Sequence, residues 1–281
     1  MSTPTPNPRG AAFWNSAMGQ AWVAHQAVIS DVFAAVTRIS LEAAAPKPGE
    51  HAVDIGCGTG DTLLELARRV GPDGAALGVD VSVPMLDLAR RRGAEAGLGN
   101  LSFVLADATT HAFAPGWADL VYSRFGVMFF DAPARAFANI RGGMKPGGRL
   151  VFACFRTMPE SPWFHVAMEA ARPHLPPPPP ADPLAPGMFS FAGEERLRGI
   201  LQAAGFHDIA LRAADVPMHG RDIGQSMAFV TTAGPLPALL ETGTAAERER
   251  ALGAVREAMA ARIGPEGRDL HVGLWLVSAR A

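Results

Sequence analysis

The sequence predicts an α/β fold, a doubly wound and mostly parallel sheet carrying helical lid insertions. Three observations point there. Short apolar runs alternate with amphipathic helical segments between residues 51 and 155. The loops joining them are short, as parallel strands covered by helices on both faces require. A glycine-rich bend ends the first apolar run and opens the first helix.

Taken in order, residues 1–10 hold three prolines and little that is apolar, which predicts a disordered tail. From Ala11 to Ala45 the spacing is helical: Phe13, Trp14, Ala17, Met18, Ala21 and Trp22 recur at three- and four-residue steps, and Pro46-Lys47-Pro48-Gly49 closes the region. Ala52–Ile55 is the first strand, Asp61–Val70 the first core helix, and Ala75–Val81 the second strand. Ser82 reads as the N-cap of a helix with Pro84 in its first turn, reaching Ala96. Leu101–Leu105 and Ala118–Tyr122 are strands, Pro133–Met144 a helix, and Arg149–Phe155 the fifth strand.

Beyond Phe155 the alternation stops. Pro173 to Pro186 contains eight prolines, five of them consecutive at 176–180, the composition of a stiff connector too poor in N–H donors to join a sheet. Glu194–Ala204 reads as a helix, Phe206–Val216 as a sixth strand, Ala245–Ile263 as an amphipathic helix and Leu270–Ser278 as the last strand. This divides the chain into an amino-terminal lid (1–45), a core (46–155), a Pro-rich insertion (156–193), a continuation of the core (194–217), a helical cap (218–267) and a final core strand (268–281).

With 281 residues the chain can bury a core without disulfide or metal support. Its net charge of −2 gives no electrostatic reason to expect a nucleic-acid or membrane-surface partner. Two cysteines, Cys57 and Cys154, form no disulfide framework and lie at no zinc spacing, so no metal is expected. The opening residues lack an apolar signal region, and the uncharged stretch Ile223–Leu240 is broken by Gly224, Gly234, Pro235 and Pro237. A cytoplasmic protein, a monomer or homodimer without a membrane span, is the expectation.

The chemistry concentrates in Asp54-Ile55-Gly56-Cys57-Gly58-Thr59-Gly60. Glycine there lets backbone approach a ligand closely, and the helix start offers N–H groups, which suits an adenosine-containing cofactor. A dinucleotide bend would carry Gly or Ala at position 61; Asp61 stands there instead, a charge that would face a pyrophosphate. Asp80 ends the second strand, 24 positions after Gly56, placed to accept hydrogen bonds from ribose hydroxyls. Asp107 ends the third, so three acids fall along the crevice at the carboxyl ends of the strands.

From His51 to Phe155 the chain resembles class I S-adenosylmethionine-dependent methyltransferases, the broad small-molecule group that includes ubiquinone and menaquinone C-methylases. The resemblance rests on Val53–Gly60, Gly78–Ser82 with Met85-Leu86, Ala106–Ala108, Asp119–Val121 and Lys145–Leu150, in that order. It implies a seven-stranded, Rossmann-like sheet whose last strand inserts antiparallel. It also implies that S-adenosylmethionine is the cofactor, lined by Gly56, Gly58 and Gly60, with Asp54 near its amino-acid part and Asp80 on its ribose. Met85 would pack on adenine, Asp107 and Ala108 would serve its amino edge, and Ser123 would lie near the methionine moiety. The Asn/Asp-Pro-Pro-Tyr/Phe motif of nucleic-acid amino methyltransferases is missing after the fourth strand, where Ser123-Arg124-Phe125-Gly126 stands, and no Pro-Cys pair occurs.

Methyl transfer from a sulfonium is an in-line displacement that asks the protein mainly for alignment and dryness. The expected reaction is transfer to an O or C atom of a small, partly apolar acceptor. The candidates for a base are His25 beside Trp22, His111, His165 after the fifth strand, His174, His207, His219 and His271, together with Tyr122. Arg124 and Arg156 follow the fourth and fifth strands, where either could clamp an anionic acceptor. Two other readings share these features: an NAD-dependent oxidoreductase, and a non-catalytic S-adenosylmethionine-binding protein.

Overall fold

A computed structural model describes residues 8–178, 182, 184–218, 222–262 and 270–281. Seven strands form one sheet: β1 (His51–Ile55), β2 (Ala75–Asp80), β3 (Leu101–Leu105), β4 (Ala118–Arg124), β5 (Met144–Phe155), β6 (His207–Pro217) and β7 (His271–Arg280). Their order is β3-β2-β1-β4-β5-β7-β6. β1 to β5 pair in parallel, whereas β7 runs antiparallel to both β5 and β6.

Strand alternation makes this a three-layer molecule. In β1 and β4, Val53, Ile55 and Val121 join the apolar cluster on one face, while Ala52, Leu120 and Tyr122 join the cluster on the other. The second face is covered by the helix Asp61–Val70 (α5), whose Leu63, Leu66, Ala67 and Val70 are buried.

Before β1 lie α1 (Pro8–Trp14), α2 (Ala17–Ala24), α3 (Gln26–Val32) and α4 (Ala34–Ala44). The helical region thus begins three residues before Ala11, inside the predicted tail; residues 1–7 lie outside the described residues. Ser16 separates the first two helices and caps α2, its Oγ accepting the Met18 N–H at 3.3 Å. Ser82 does occupy the N-cap position of α6 (Val83–Glu95), but its hydroxyl donates to the Trp14 carbonyl at 2.7 Å instead of capping the helix.

The remaining helices are α7 (Pro133–Gly142), α8 (Pro162–Ala171), α9 (Glu194–Ala203), α10 (Ile223–Val230), α11 (Leu236–Leu240) and α12 (Ala245–Ala260). The sequence reading missed α8, although Trp163, Phe164, Ala167, Met168 and Ala171 repeat at helical steps and are buried. The Pro-rich run masked it. α10 and α11, too short and too uniformly apolar to show a polar face, were missed as well. β5 begins at Met144, five residues early, because a register shift between Ala118 and Leu120 absorbs Pro146-Gly147-Gly148 within the β4–β5 pairing. α12 ends at Ala260 with Ala261 as its C-cap, short of the predicted Ile263; Ile263 itself, the prolines at 179, 180 and 183, and His219 lie outside the described residues.

Candidate active site

Gly56 and Gly58 have φ of +70° and +52°, the left-handed conformation that L side chains avoid. A Cβ on Gly56 would stand 2.7 Å from the Gly126 Cα, and one on Gly58 would stand 2.9 Å from the Met85 Cε. The bend after β1 is therefore wedged between the turn after β4 and the first turn of α6. Gly60 is the residue before α5 and does not line the cavity described below.

Asp80 is fastened to this bend. One carboxylate oxygen accepts the Gly58 N–H at 2.7 Å and the other accepts the Ser82 N–H at 2.8 Å. Burial raises its pKa, and the backbone N–H groups of Ser82 and Gly58 oppose the rise. Asp54 is fully buried one layer below, where its Oδ2 accepts from the Thr62 hydroxyl at 2.6 Å. Its Oδ1 has no hydrogen-bond partner among the described residues, and burial lifts its pKa to about 7. Thr62, unlike Asp54, faces the cavity, so Asp54 reaches the site by way of Thr62. Asp107 holds the Thr109 N–H at 2.8 Å, beside Ala108.

These groups line one wall of a cavity of about 580 Å³. Gly56, Gly58, Asp80, Met85, Asp107 and Ala108 stand on the β1, β2 and β3 side; the rest is walled by Phe13, Trp14 and Trp22 of the lid, by Phe33, Phe125, Phe129, Phe130 and Phe155, and by Met188, Phe189, Gly234 and Pro235. The rings interlock: Trp14 meets Trp22 and Phe129 edge to face at 5.6 and 5.2 Å, and Phe125 stacks on Phe155 at 4.2 Å. The amino-terminal helices are latched at the tip of β2. Asn15 donates to the Val81 carbonyl at 2.8 Å and accepts the Val83 N–H at 2.9 Å.

Between these two regions lies the tip of β4. Phe125 carries φ of +68°, a strained conformation for an aromatic residue. Arg124 lines the cavity, donates to Thr37 Oγ1 at 2.6 Å, faces Asp61 at 3.5 Å and stacks over the Phe33 ring at 5.4 Å. Asp61 itself pairs more closely with Arg92, at 2.6 Å, and accepts from Gln26 at 2.9 Å. Burial would raise its pKa, but Arg124, Ser30 and Arg92 hold it below the usual carboxylate range. Its charge is thus engaged by arginines and does not stand ready to repel a pyrophosphate, which replaces the sequence argument built on position 61.

Several predicted residues fall elsewhere. His25 is exposed at the junction of α2 and α3, and His165 is half-buried on α8; neither lines the cavity. Ser123 is fully buried and off the cavity, donating to the Ile55 carbonyl at 2.7 Å and accepting the Gly126 N–H, so it ties the two bends together. Tyr122 is buried on the opposite sheet face, hydrogen-bonded to Ser40 at 2.7 Å, and burial pushes its pKa upward, away from the range of a base. Arg156 is engaged by Glu160, by Asp215 at 3.0 Å and by the Trp275 ring. Thr62, Trp14, Trp22 and the Asp61–Arg124 pair were missed as a site, because only the fold brings them together.

The arrangement fits a nucleoside sulfonium donor: the bend is shaped by two positions that a Cβ would fill, a carboxylate stands behind it, and Asp54 carries an unpartnered buried oxygen. The comparisons agree. Residues 52–148 match the family model described as a methyltransferase domain. The chain is 37% identical over 121 residues to nocamycin O-methyltransferase of Saccharothrix syringae, covering 43% of each protein. It is 30% identical over 183 residues to the ubiquinone/menaquinone biosynthesis C-methyltransferase of Stutzerimonas stutzeri (strain A1501), covering 62% of this chain and 71% of that protein. The chain spans about half the length of the first curated relatives it matches. A phosphoethanolamine N-methyltransferase 2 structure from Haemonchus contortus, solved with S-adenosylhomocysteine, shares the fold with a TM-score of 0.60 at 16% identity, over 95% of this chain and 58% of that one. The chain belongs to the class I S-adenosylmethionine-dependent methyltransferases.

Proposed function

We propose that the protein moves the methyl group of S-adenosylmethionine to an O or C atom of a small, partly apolar acceptor. The observation that carries this reading is continuity: the crevice over Gly58 and Asp80 opens without a dividing wall into a space lined by aromatic rings. Gly56, Gly58, Asp80, Met85, Asp107 and Ala108 hold the nucleoside, and Asp54 steadies Thr62 beneath its amino-acid part. When bound, the cofactor supplies an electrophilic methyl carbon. The rings exclude water and orient the acceptor toward it. Relatives named for nocamycin, aklanonic acid and demethylmenaquinone support an acceptor with a large apolar part and leave both O- and C-methylation in the reading.

The protein acts in the cytoplasm, as a monomer or homodimer without nucleic acid. Two buried free cysteines fit a reducing compartment, and among the described residues no helix is long and apolar enough to cross a membrane. The test is incubation with methyl-labelled cofactor and aklanonic acid, demethylmenaquinone or an organic-solvent extract of cells, with transfer RNA and duplex DNA in parallel. Label in an apolar small molecule is expected. Label in nucleic acid, or tight cofactor binding with no labelled product, would replace this reading.

A further inference from the structure

The part of the cavity beyond the cofactor wall lacks a group able to take a proton. Among the described residues lining it there is no histidine, lysine or tyrosine. Its two lining carboxylates, Asp80 and Asp107, stand at the tips of β2 and β3, on the far side of β1 from Phe125 and Phe155. Both Asp80 oxygens already accept backbone N–H groups, and Asp107 holds that of Thr109.

The one cationic side chain in the described lining is Arg124, and it is placed at the boundary, on the tip of β4 next to β1. Its guanidinium has five N–H donors, of which one reaches Thr37 at 2.6 Å and another, longer at 3.5 Å, reaches Asp61. Asp61 is shared with Arg92, which approaches it more closely, so two guanidinium groups face this one carboxylate, and Asp54, which also feels the Arg124 charge, is largely protonated below pH 7. The Arg124 side chain is only 10% exposed, with the Phe33 ring against it. A charge so sparingly hydrated attracts an anion far more strongly than an exposed one does.

From this we infer that the acceptor reacts as an anion, an apolar ring compound bearing a carboxylate, enolate or acidic phenolate, and that Arg124 is the residue selecting its charge. The inference rests on the methyl-transfer reading and narrows its substrate class. An acceptor that arrives ionised needs no base. Its lone pair forms the bond to the methyl carbon while the carbon–sulfur bond breaks and that electron pair stays on sulfur; no proton is transferred in the step. The cofactor carries a carboxylate of its own, so the same guanidinium chemistry has a second source, which the experiment separates.

The probes are 1-naphthoate and its neutral analogue 1-naphthamide, titrated by calorimetry into full-length protein saturated with S-adenosylhomocysteine. The wild type is expected to bind the naphthoate about tenfold or more tightly than the amide. Arg124→Gln is expected to abolish that preference while its affinity for S-adenosylhomocysteine changes by less than about threefold, and Arg124→Lys to keep part of it. Equal or tighter binding of the amide by the wild type overturns the inference without touching the methyl-transfer reading. So does an Arg124→Gln protein that keeps the preference but loses the nucleoside, since Arg124 then serves the cofactor's carboxylate. Failure of the wild type to bind S-adenosylhomocysteine overturns both.

Discussion

The carboxylate of Asp80 closes a ring with the Gly58 N–H at 2.7 Å, so the acid at the tip of β2 both shapes the glycine bend and faces the cavity. In the proposed function, structure and binding are therefore joined in one side chain. Asp80→Ala is expected to weaken S-adenosylhomocysteine by roughly 1.5–3 kcal/mol, the range for hydrogen bonds to a charged group, while leaving a folded protein. Asp80→Asn keeps an acceptor for one of the two N–H groups and should retain more of the thermal stability. Calorimetry and a thermal melt on both variants check this.

Asp54 makes stability depend on pH. Burial lifts its carboxyl from 3.8 to about 7, so between those values the folded state holds a proton that the unfolded state has released. Folded protein binding more protons means that this contribution falls as pH rises through the window and levels off above it. Asp54→Asn retains an oxygen for Thr62 and removes the titration. Urea unfolding at pH 5 and pH 8 should show a smaller loss of stability with rising pH in the variant than in the wild type.

Phe125 combines strain with packing. Its φ of +68° opposes the side chain, but the ring is held between Phe33 at 5.0 Å and Phe155 at 4.2 Å. Phe125→Ala should cost about 3–5 kcal/mol, as deletion of a buried phenyl ring does. Phe125→Gly should cost about 1 kcal/mol less than the alanine, although glycine is smaller, since it relieves the left-handed backbone. Equal costs in denaturant titrations would mean the strain is not released.

The latch of the amino-terminal helices is specific enough to cut. Asn15→Ala removes the hydrogen bonds to the Val81 carbonyl and from the Val83 N–H. At about 1 kcal/mol each, their loss should speed release of S-adenosylhomocysteine by roughly tenfold or more, followed in a stopped-flow instrument through the emission of Trp14 and Trp22.

Local chemistry is what the sequence exposed. The glycine bend, Asp80, Met85 and Asp107 lie beside recognisable strand ends, and the structure finds them along one wall. Arg124 was legible as a position but not in its setting, because Thr37 and Asp61 approach it from 87 and 63 residues away. His25 and His165 show the converse. Helical spacing puts His25 on a helix near the site without fixing which way its ring faces, and His165 is placed only by its position after the fifth strand, its helix α8 going unread. The latch ties the Asn15 side chain to backbone atoms 66 and 68 positions away, and such backbone partners leave no side-chain pattern to read.

Gly56 and Gly126 meet backbone to backbone, close enough that neither position has room for a methyl group. The glycine bend after β1 and the turn bearing Arg124 and Phe125 therefore form one closely packed block. The lid, the 187–189 segment and the 233–238 segment touch the cavity from outside that block. Such a chassis can exchange its outer panels freely: grafting those three segments from one relative to another should redirect which molecule is modified while the handling of the donor stays as it was.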